Sequence, residues 1–425
     1  MISHSPPFPL VLDYGPRILK TWTAEDELGL LLASQHLPRV SEIVLSAPEL
    51  TLAKLTTGMI EAAPRLETLI LHSQSQNSGI VLPKRFLEGG APQLRHLILT
   101  GAALSPLQPL LSSATSLVSL VLERIPSSAY FSPDSLVTQI RTMPFLQMLS
   151  ISFLSTVPRP GFRGERVLPP GQLARIELPG LTQLIYRGVS AYIEALLSRI
   201  RSPRIEDVDI ALFNQLTLDV PRTCEFVREL ESFRPTRARI DFAEASVHII
   251  VSAPQSTASP DVFLSVSCAR LDFQVAATAQ LCGGLSATLL PAEELVLGFH
   301  QGGALPEEWR GEVDPGLWRG LLAPFRHIGT LRVHVALAAD VERALRPGPE
   351  DQPLGEPLLP ELRELVLLHG SDENALKSAS AALSAFVDER DEAGRPVKVH
   401  SQDLSRLVES ETGGSITTYD QHKLY

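Results

Sequence analysis

Ala63-Pro64-Arg65-Leu66-Glu67-Thr68-Leu69-Ile70-Leu71 and Ala91-Pro92-Gln93-Leu94-Arg95-His96-Leu97-Ile98-Leu99 are one phrase written twice, A-P-x-L-x-x-L-x-L. Less complete copies stand at Leu117–Leu122 and Met143–Ile151, and a late copy at Leu359–Leu367. Within each copy the apolar residues alternate, which is the period of a strand with one buried face. A single such strand cannot cover its own leucines, so the phrases must stack on one another.

This is the leucine-rich repeat signature. Aligned on the last apolar residue of each phrase, the repeats fall at Leu12, Leu45, Leu71, Leu99, Leu122, Ile151, Tyr186, Ile210, Phe242, Leu297, Val333 and Leu367. From Leu45 to Ile151 the spacings run from 23 to 29 residues, the usual length of one repeat. Most later spacings stretch to 32–36, and Phe242 to Leu297 is wider still, with room for one more repeat around Leu271-Asp272-Phe273. The expected fold is therefore an α/β solenoid of about 11–13 repeats over residues 1–400, a horseshoe with parallel strands on its concave face and helices on its convex face. Its second half is expected to be irregular.

Helices are expected between the strands. Ser105-Pro106 opens one with Leu107, Leu110 and Leu111 on a face, and Ser132-Pro133 opens another with Leu136, Ile140 and Met143 in phase. Ser190 is placed to cap a third, carrying Ile193, Leu196, Leu197 and Ile200. Pro64, Pro92, Pro144 and Pro203 stop the helices and turn the chain into the next strand. Ser246–Val251 and Val262–Ser267 flank a Ser/Pro/Thr stretch and read as a hairpin inserted near 246–267. A last helix over Asn374–Glu389 and an edge strand near Gly394–Val399 form a C-terminal cap near 374–400, and the polar residues 401–425 are expected to be disordered.

The 425 residues are 44% hydrophobic, ample for a long core, and carry a formal net charge of −11. That sign opposes any general affinity for nucleic acid or an anionic membrane surface. No apolar run reaches transmembrane length and no signal peptide opens the chain, so a cytoplasmic or nuclear place is expected. Cys224, Cys268 and Cys282 lack metal-ligand spacing and read as buried apolar filler, with a Cys268–Cys282 disulfide as the sharper alternative. The eleven histidines do not cluster, and no phosphate loop, dinucleotide fingerprint, zinc-protease motif or nucleophile elbow is present. No catalytic residue, cofactor or metal is expected. An enzyme built on the irregular segment 246–300 has no nucleophile–base pair to support it.

Residues between the leucines face the concave side. Val44, Ile70, Ile98 and Val121 form an apolar row there, with Val296 and Val366 further on, and Thr68, His72, His96, Thr100 and Glu123 flank it. An apolar stripe with a polar rim has the make-up of a protein-binding patch, although β-branched residues suit strands in any case. Later inner positions turn polar: Gln183, Arg187, Asp207, Asp209, Arg239 and Asp241. Mixed charge of that kind can steer a partner, and a solvated sheet face is the stronger alternative.

The order of certain phrases resembles the leucine-rich half of F-box proteins abundant in mushroom-type (basidiomycete) fungi. They are Val189–Ile200, Leu271–Val275 running into Ala279–Cys282, Trp318–Phe325, and Phe386–Arg390 followed by Gly394–Val397. The resemblance spans about residues 8–400. It implies recruitment of a protein substrate to a cullin-based ubiquitin ligase, in which an N-terminal F-box docks on an adaptor subunit. Here Phe8–Leu12 already reads as the first repeat strand, so the F-box is expected to be missing and the adaptor to bind only if one is present. A repeat interaction protein with no ligase link is the alternative. The resemblance supplies no defined binding residues.

Overall fold

The computed structural model describes residues 8–14, 22–88, 90–104, 109–154, 175–213, 218–230, 233–253, 261–299, 313–346, 357–370 and 372–404. The proposed helix start at Ser105–Leu107, His300 and residues 405–425 lie outside them. The chain divides into two compact units, residues 1–232 with 260–264, and residues 233–259 with 265–425.

Eight consecutive parallel strands make most of the sheet of the first unit: β1 (Leu10–Tyr14), β2 (Val40–Ala47), β3 (Thr68–Ser73), β4 (His96–Thr100), β5 (Ser119–Ile125), β6 (Met148–Phe153), β7 (Gln183–Gly188) and β8 (Asp207–Leu212). Each is parallel to the next, in sequence order. Leu45, Leu71, Leu99, Leu122, Ile151, Tyr186 and Ile210 stand opposite one another from strand to strand. All seven are buried. Each fully buried side chain of this size contributes about 1.5–3 kcal/mol. The alignment expected at the first strand is off by two: Leu12 pairs with Ile43, and Tyr14 is the residue opposite Leu45.

One backbone pattern sets this register. The N–H groups of Arg95 and His96 both donate to the Glu67 carbonyl, and those of Val118 and Ser119 to Arg95. Gln147 and Met148 donate to Val118, Thr182 and Gln183 to Gln147, and Glu206 and Asp207 to Thr182. Ahead of each strand comes a tight turn, in which Leu66 donates to the Ala63 carbonyl, Leu94 to Ala91 and Leu146 to Met143. Pro64, Pro92 and Pro144 occupy the second position of these turns, where a fixed φ near −65° is required. The prolines of the repeated phrase thus shape a turn as well as ending the preceding segment.

Helices line the other side of the sheet: α1 (Ala24–Ala33), α2 (Glu49–Gly58), α3 (Pro109–Ser113), α4 (Pro133–Ile140), α5 (Ser190–Leu197) and α6 (Pro221–Arg228). Ser132 caps α4, its hydroxyl accepting from the Ser135 N–H, as the Ser-Pro pair predicts. Ser190 is not a cap; α5 begins at Ser190 with Val189 in the cap position. The start of α6 is closed from outside its own chain segment: the Glu194 carboxylate on α5 accepts from the N–H groups of Arg222 and Thr223 at 2.7 and 2.8 Å.

In the second unit β9 (Arg237–Ala243) and β10 (Ser246–Ser252) are antiparallel, reversing at Glu244-Ala245. The hairpin expected near 246–267 thus already begins at Arg237. The next strand, β11 (Asp261–Ser267), is shared between the units, Asp261–Leu264 belonging to the first and Ser265–Ser267 to the second. Parallel repeats resume from β9 through β12 (Glu294–Phe299), β13 (Thr330–His334), β14 (Glu364–His369) and β15 (Lys398–Asp403). Leu297 pairs with Ile240 rather than Phe242, again a shift of two. Leu297, Val333 and Leu367 align as expected.

The extra repeat expected around Leu271 is instead the helix α7 (Leu271–Gly284). Its buried residues Leu271, Val275, Thr278 and Cys282 recur every three to four positions, a helical period. After the short α8 (Ser286–Leu289), the remaining helices are α9 (Pro315–Leu322), α10 (Ala338–Leu345) and α11 (Glu373–Glu392). Consecutive long helices pack on one another, α7 on α9, α9 on α10 and α10 on α11. Trp318 is fully buried in α9, its ring 5.5 Å from that of Phe242. The three cysteines are buried thiols, so the Cys268–Cys282 disulfide does not form.

Candidate protein-binding face

Alternation along the strands sends every second side chain away from the helices. In the first unit the central row on this open face runs Val44, Ile70, Ile98, Val121 and Ser150, each opposite the next. Val44, Ile70 and Ile98 are half-buried, in contrast to the fully buried leucines and Ile43 on either side of them in sequence. Val121 is a correction to the expected patch: it is fully buried and offers a partner nothing. Thr100, at 7% exposed, is nearly as inaccessible.

The flanking rows are polar. On one side stand Glu42, Thr68, His96 and Ser119, of which His96 is the most open. On the other stand Ser46, His72, Thr100 and Glu123, with the Thr100 hydroxyl donating to the Glu123 carboxylate at 3.3 Å. His72 is held below its usual range by burial and then by the Arg124 guanidinium. It is therefore neutral at pH 7. Arg124 itself adopts a left-handed backbone, φ 52°, and donates to the Ser73 and Ser75 carbonyls. It ties the end of β5 to the end of β3 and borders the open face with fixed positive charge.

Further along, this face turns acidic. Asp207 and Asp209 of β8 stand opposite Gln183 and Ile185 of β7, with Arg187 next in line. Burial pushes the Asp209 carboxyl up to about 6, despite the opposing pull of Arg187, and also raises Asp207.

In the second unit the corresponding face is occupied by its own chain. Val296, Val366 and Leu368 form a buried apolar cluster against which Leu404 packs. Around it Arg332 pairs with Glu294, Arg237 with Glu294, and Arg239 with Asp241. The apolar positions Val296 and Val366 are thus covered, and among the described residues the accessible apolar row lies in the first unit.

Among the described residues no group of three or more His, Cys, Asp or Glu side chains could hold a metal ion. His327 pairs with Glu361 at the surface, 2.8 Å away. No helix among the described residues is long and apolar enough to cross a membrane.

Stacked parallel strands, a leucine stripe between sheet and helices, and one repeat per strand define a leucine-rich repeat protein. No protein-family model matches the chain, and no curated protein matches it. Among solved structures it is similar to the leucine-rich repeat-containing protein LegL7 from Legionella pneumophila, at 12% identity over 89% of this chain and 97% of that one, with a TM-score of 0.30. The fold assignment rests on the strand register and the helices described above.

Proposed function

We propose that this chain is a non-enzymatic leucine-rich repeat scaffold that binds another protein through the open face of its first unit. The observation that carries the reading is the register-aligned row Val44, Ile70 and Ile98: apolar, half-exposed and bordered by polar side chains on both sides. An apolar centre with a polar rim is the make-up of a protein interface. The test is affinity capture of partners with the wild-type chain beside an Ile70→Asp/Ile98→Asp double variant. Partner capture should be lost while circular dichroism stays unchanged, and undiminished capture by a folded double variant rejects this surface.

The resemblance of the repeat phrases to fungal F-box proteins supports a finer reading, in which this face recognises the substrate of a cullin-based ubiquitin ligase. That reading needs an adaptor-docking element. Co-purification of the chain with the adaptor subunit tests it, and failure to co-purify leaves a repeat interaction protein with no ligase link.

A further inference from the structure

Among the described residues β1 hydrogen-bonds to β2 alone, so its outer edge presents unpaired backbone N–H and C=O groups. Edge strands are ordinarily blunted by lysine, proline or polar side chains. β15 in the second unit follows that rule: Lys398-Val399-His400-Ser401-Gln402-Asp403 is polar but for Val399, and α11 exposes Lys377, Ser380, Ser384 and Asp388. β1 does not. Leu10-Val11-Leu12-Asp13-Tyr14 holds one charge and neither lysine nor proline. Val11, Phe8 just ahead of it, and Leu28 and Leu32 of α1 are each more than half exposed.

The other contacts of α1 fix where its leucines point. Glu27 pairs with Lys54 of α2 and Leu31 reaches Gly58, so these two face α2. At about 100° per residue, Gly29 and Leu32 point the other way, with Leu28 beside them on the outer surface. A Cβ on Gly29 would touch nothing, which leaves room for a second helix. Two hydrogen bonds set the level of α1 along β1. The Tyr14 hydroxyl donates to the Asp26 carboxylate at the start of α1, and Arg39, beyond its end, donates to the Phe8 carbonyl at 3.3 Å. The segment from Asp26 to Arg39 thus runs back alongside β1, and Leu32, midway along it, lies level with the middle of the strand.

We propose that two copies of this chain join edge to edge, β1 antiparallel to β1 about a two-fold axis through Leu12. The strand is complementary to itself in that register. Leu12 meets its twin, Leu10 meets the partner's Tyr14 on the helix side of the sheet, and Asp13 meets the partner's Val11 rather than a second carboxylate. The same axis brings Gly29 and Leu32 of the two α1 helices together, antiparallel. It also sets the acidic first turn, Glu25 to Glu27, against the partner's His36 and the partner's Arg39. Open backbone groups select a strand as the occupant, and the order of the charges selects this same segment inverted. A two-fold contact of this kind closes after two copies. It lies apart from the open face of the sheet and does not rest on the protein-binding reading above.

Sedimentation velocity of the full chain from about 1 to about 100 µM should show a monomer–dimer equilibrium. Val11→Lys/Leu32→Lys, at two exposed positions, sets like charges near the axis and should weaken the dimer at least about tenfold, with circular dichroism unchanged. Ile70→Asp/Ile98→Asp, on the open face, should dimerise as wild type does. Oxidation of Val11→Cys/Asp13→Cys should give a disulfide-linked dimer joining position 11 of one copy to position 13 of the other, because opposed Cβ atoms in an antiparallel pair lie about 4.5–5.5 Å apart. A chain that stays monomeric throughout, a dimer that Val11→Lys/Leu32→Lys leaves intact, or an oxidised variant without the 11-to-13 link overturns the proposal. Loss of the dimer in Ile70→Asp/Ile98→Asp places the contact on the open face and overturns it as well.

Discussion

Asp209 sits between two core residues, and its carboxyl, pushed from the ordinary 3.8 to about 6 chiefly by burial, ties stability to pH. The unfolded chain ionises this group freely near pH 4, whereas the folded chain resists ionisation until about pH 6. The folded state is therefore penalised above both values and relieved as pH falls through about 6, the reverse of a salt-bridged aspartate. At one kcal-scale increment of 1.36 per pKa unit, the penalty at pH 8 is at most about 3 kcal/mol. Asp209→Asn should raise the melting temperature at pH 8 and give no such gain near pH 4; thermal melts at the two pH values check this. The sequence places Asp207 and Asp209 on the inner face by alternation alone. Their burial, and that of Val121, was not legible, because alternation assigns a side chain to a face and says nothing of how closely neighbouring strands crowd it.

Among the elements, a helix start is legible where a Ser-Pro pair marks it, and not where the cap comes from another element; a serine alone, as at Ser190, does not decide it. Ser132 announces α4 through the Ser-Pro pair. The α6 start carries no side-chain cap of its own and takes Glu194 from α5 instead, a partner 28 residues away that no local pattern reveals. Glu194→Ala should destabilise the first unit by about 1–2 kcal/mol in chemical denaturation, the scale of a lost cap. Ser132→Ala should cost about 1 kcal/mol by the same measurement.

The stretch from Leu271 misled because a short apolar run suits strand and helix equally; its length of 14 residues decides for α7. Gly298 on β12 is a further point of close fit, since a Cβ there would collide with the Asp241 carboxylate. Gly298→Ala should be destabilising, and Asp241→Ala in the same chain should recover part of the loss, a coupling that a double-mutant cycle measures.

At the scale of the molecule, the repeated phrase made the first unit legible almost to the residue. Leu45, Leu71, Leu99, Leu122, Ile151, Tyr186 and Ile210 form the predicted stripe because a stacked array has no other way to cover them. The second unit was less legible. There an antiparallel pair, β9 and β10, interrupts the parallel order, and an interrupted register shifts every alignment made across it. The formal net charge of −11 bears on partners as well. Association with a basic segment should slow and weaken as salt rises from 50 to 300 mM, conditions set by the experimenter in stopped-flow or titration, because screening shortens the reach of the acidic field.

The paired N–H groups that open each strand have a consequence for tolerance to change. Gln147 and Met148 close on the Val118 carbonyl, the first of them across 29 residues, and Glu206 and Asp207 close on Thr182, the first across 24, with the same pattern. The inner rung is thus indifferent to how much chain is spent outside it, and loop entropy grows only slowly with length. Extra polypeptide, whether a tag, a sensor or a natural insertion, can be spliced into the outward excursions while the recognition surface keeps its spacing.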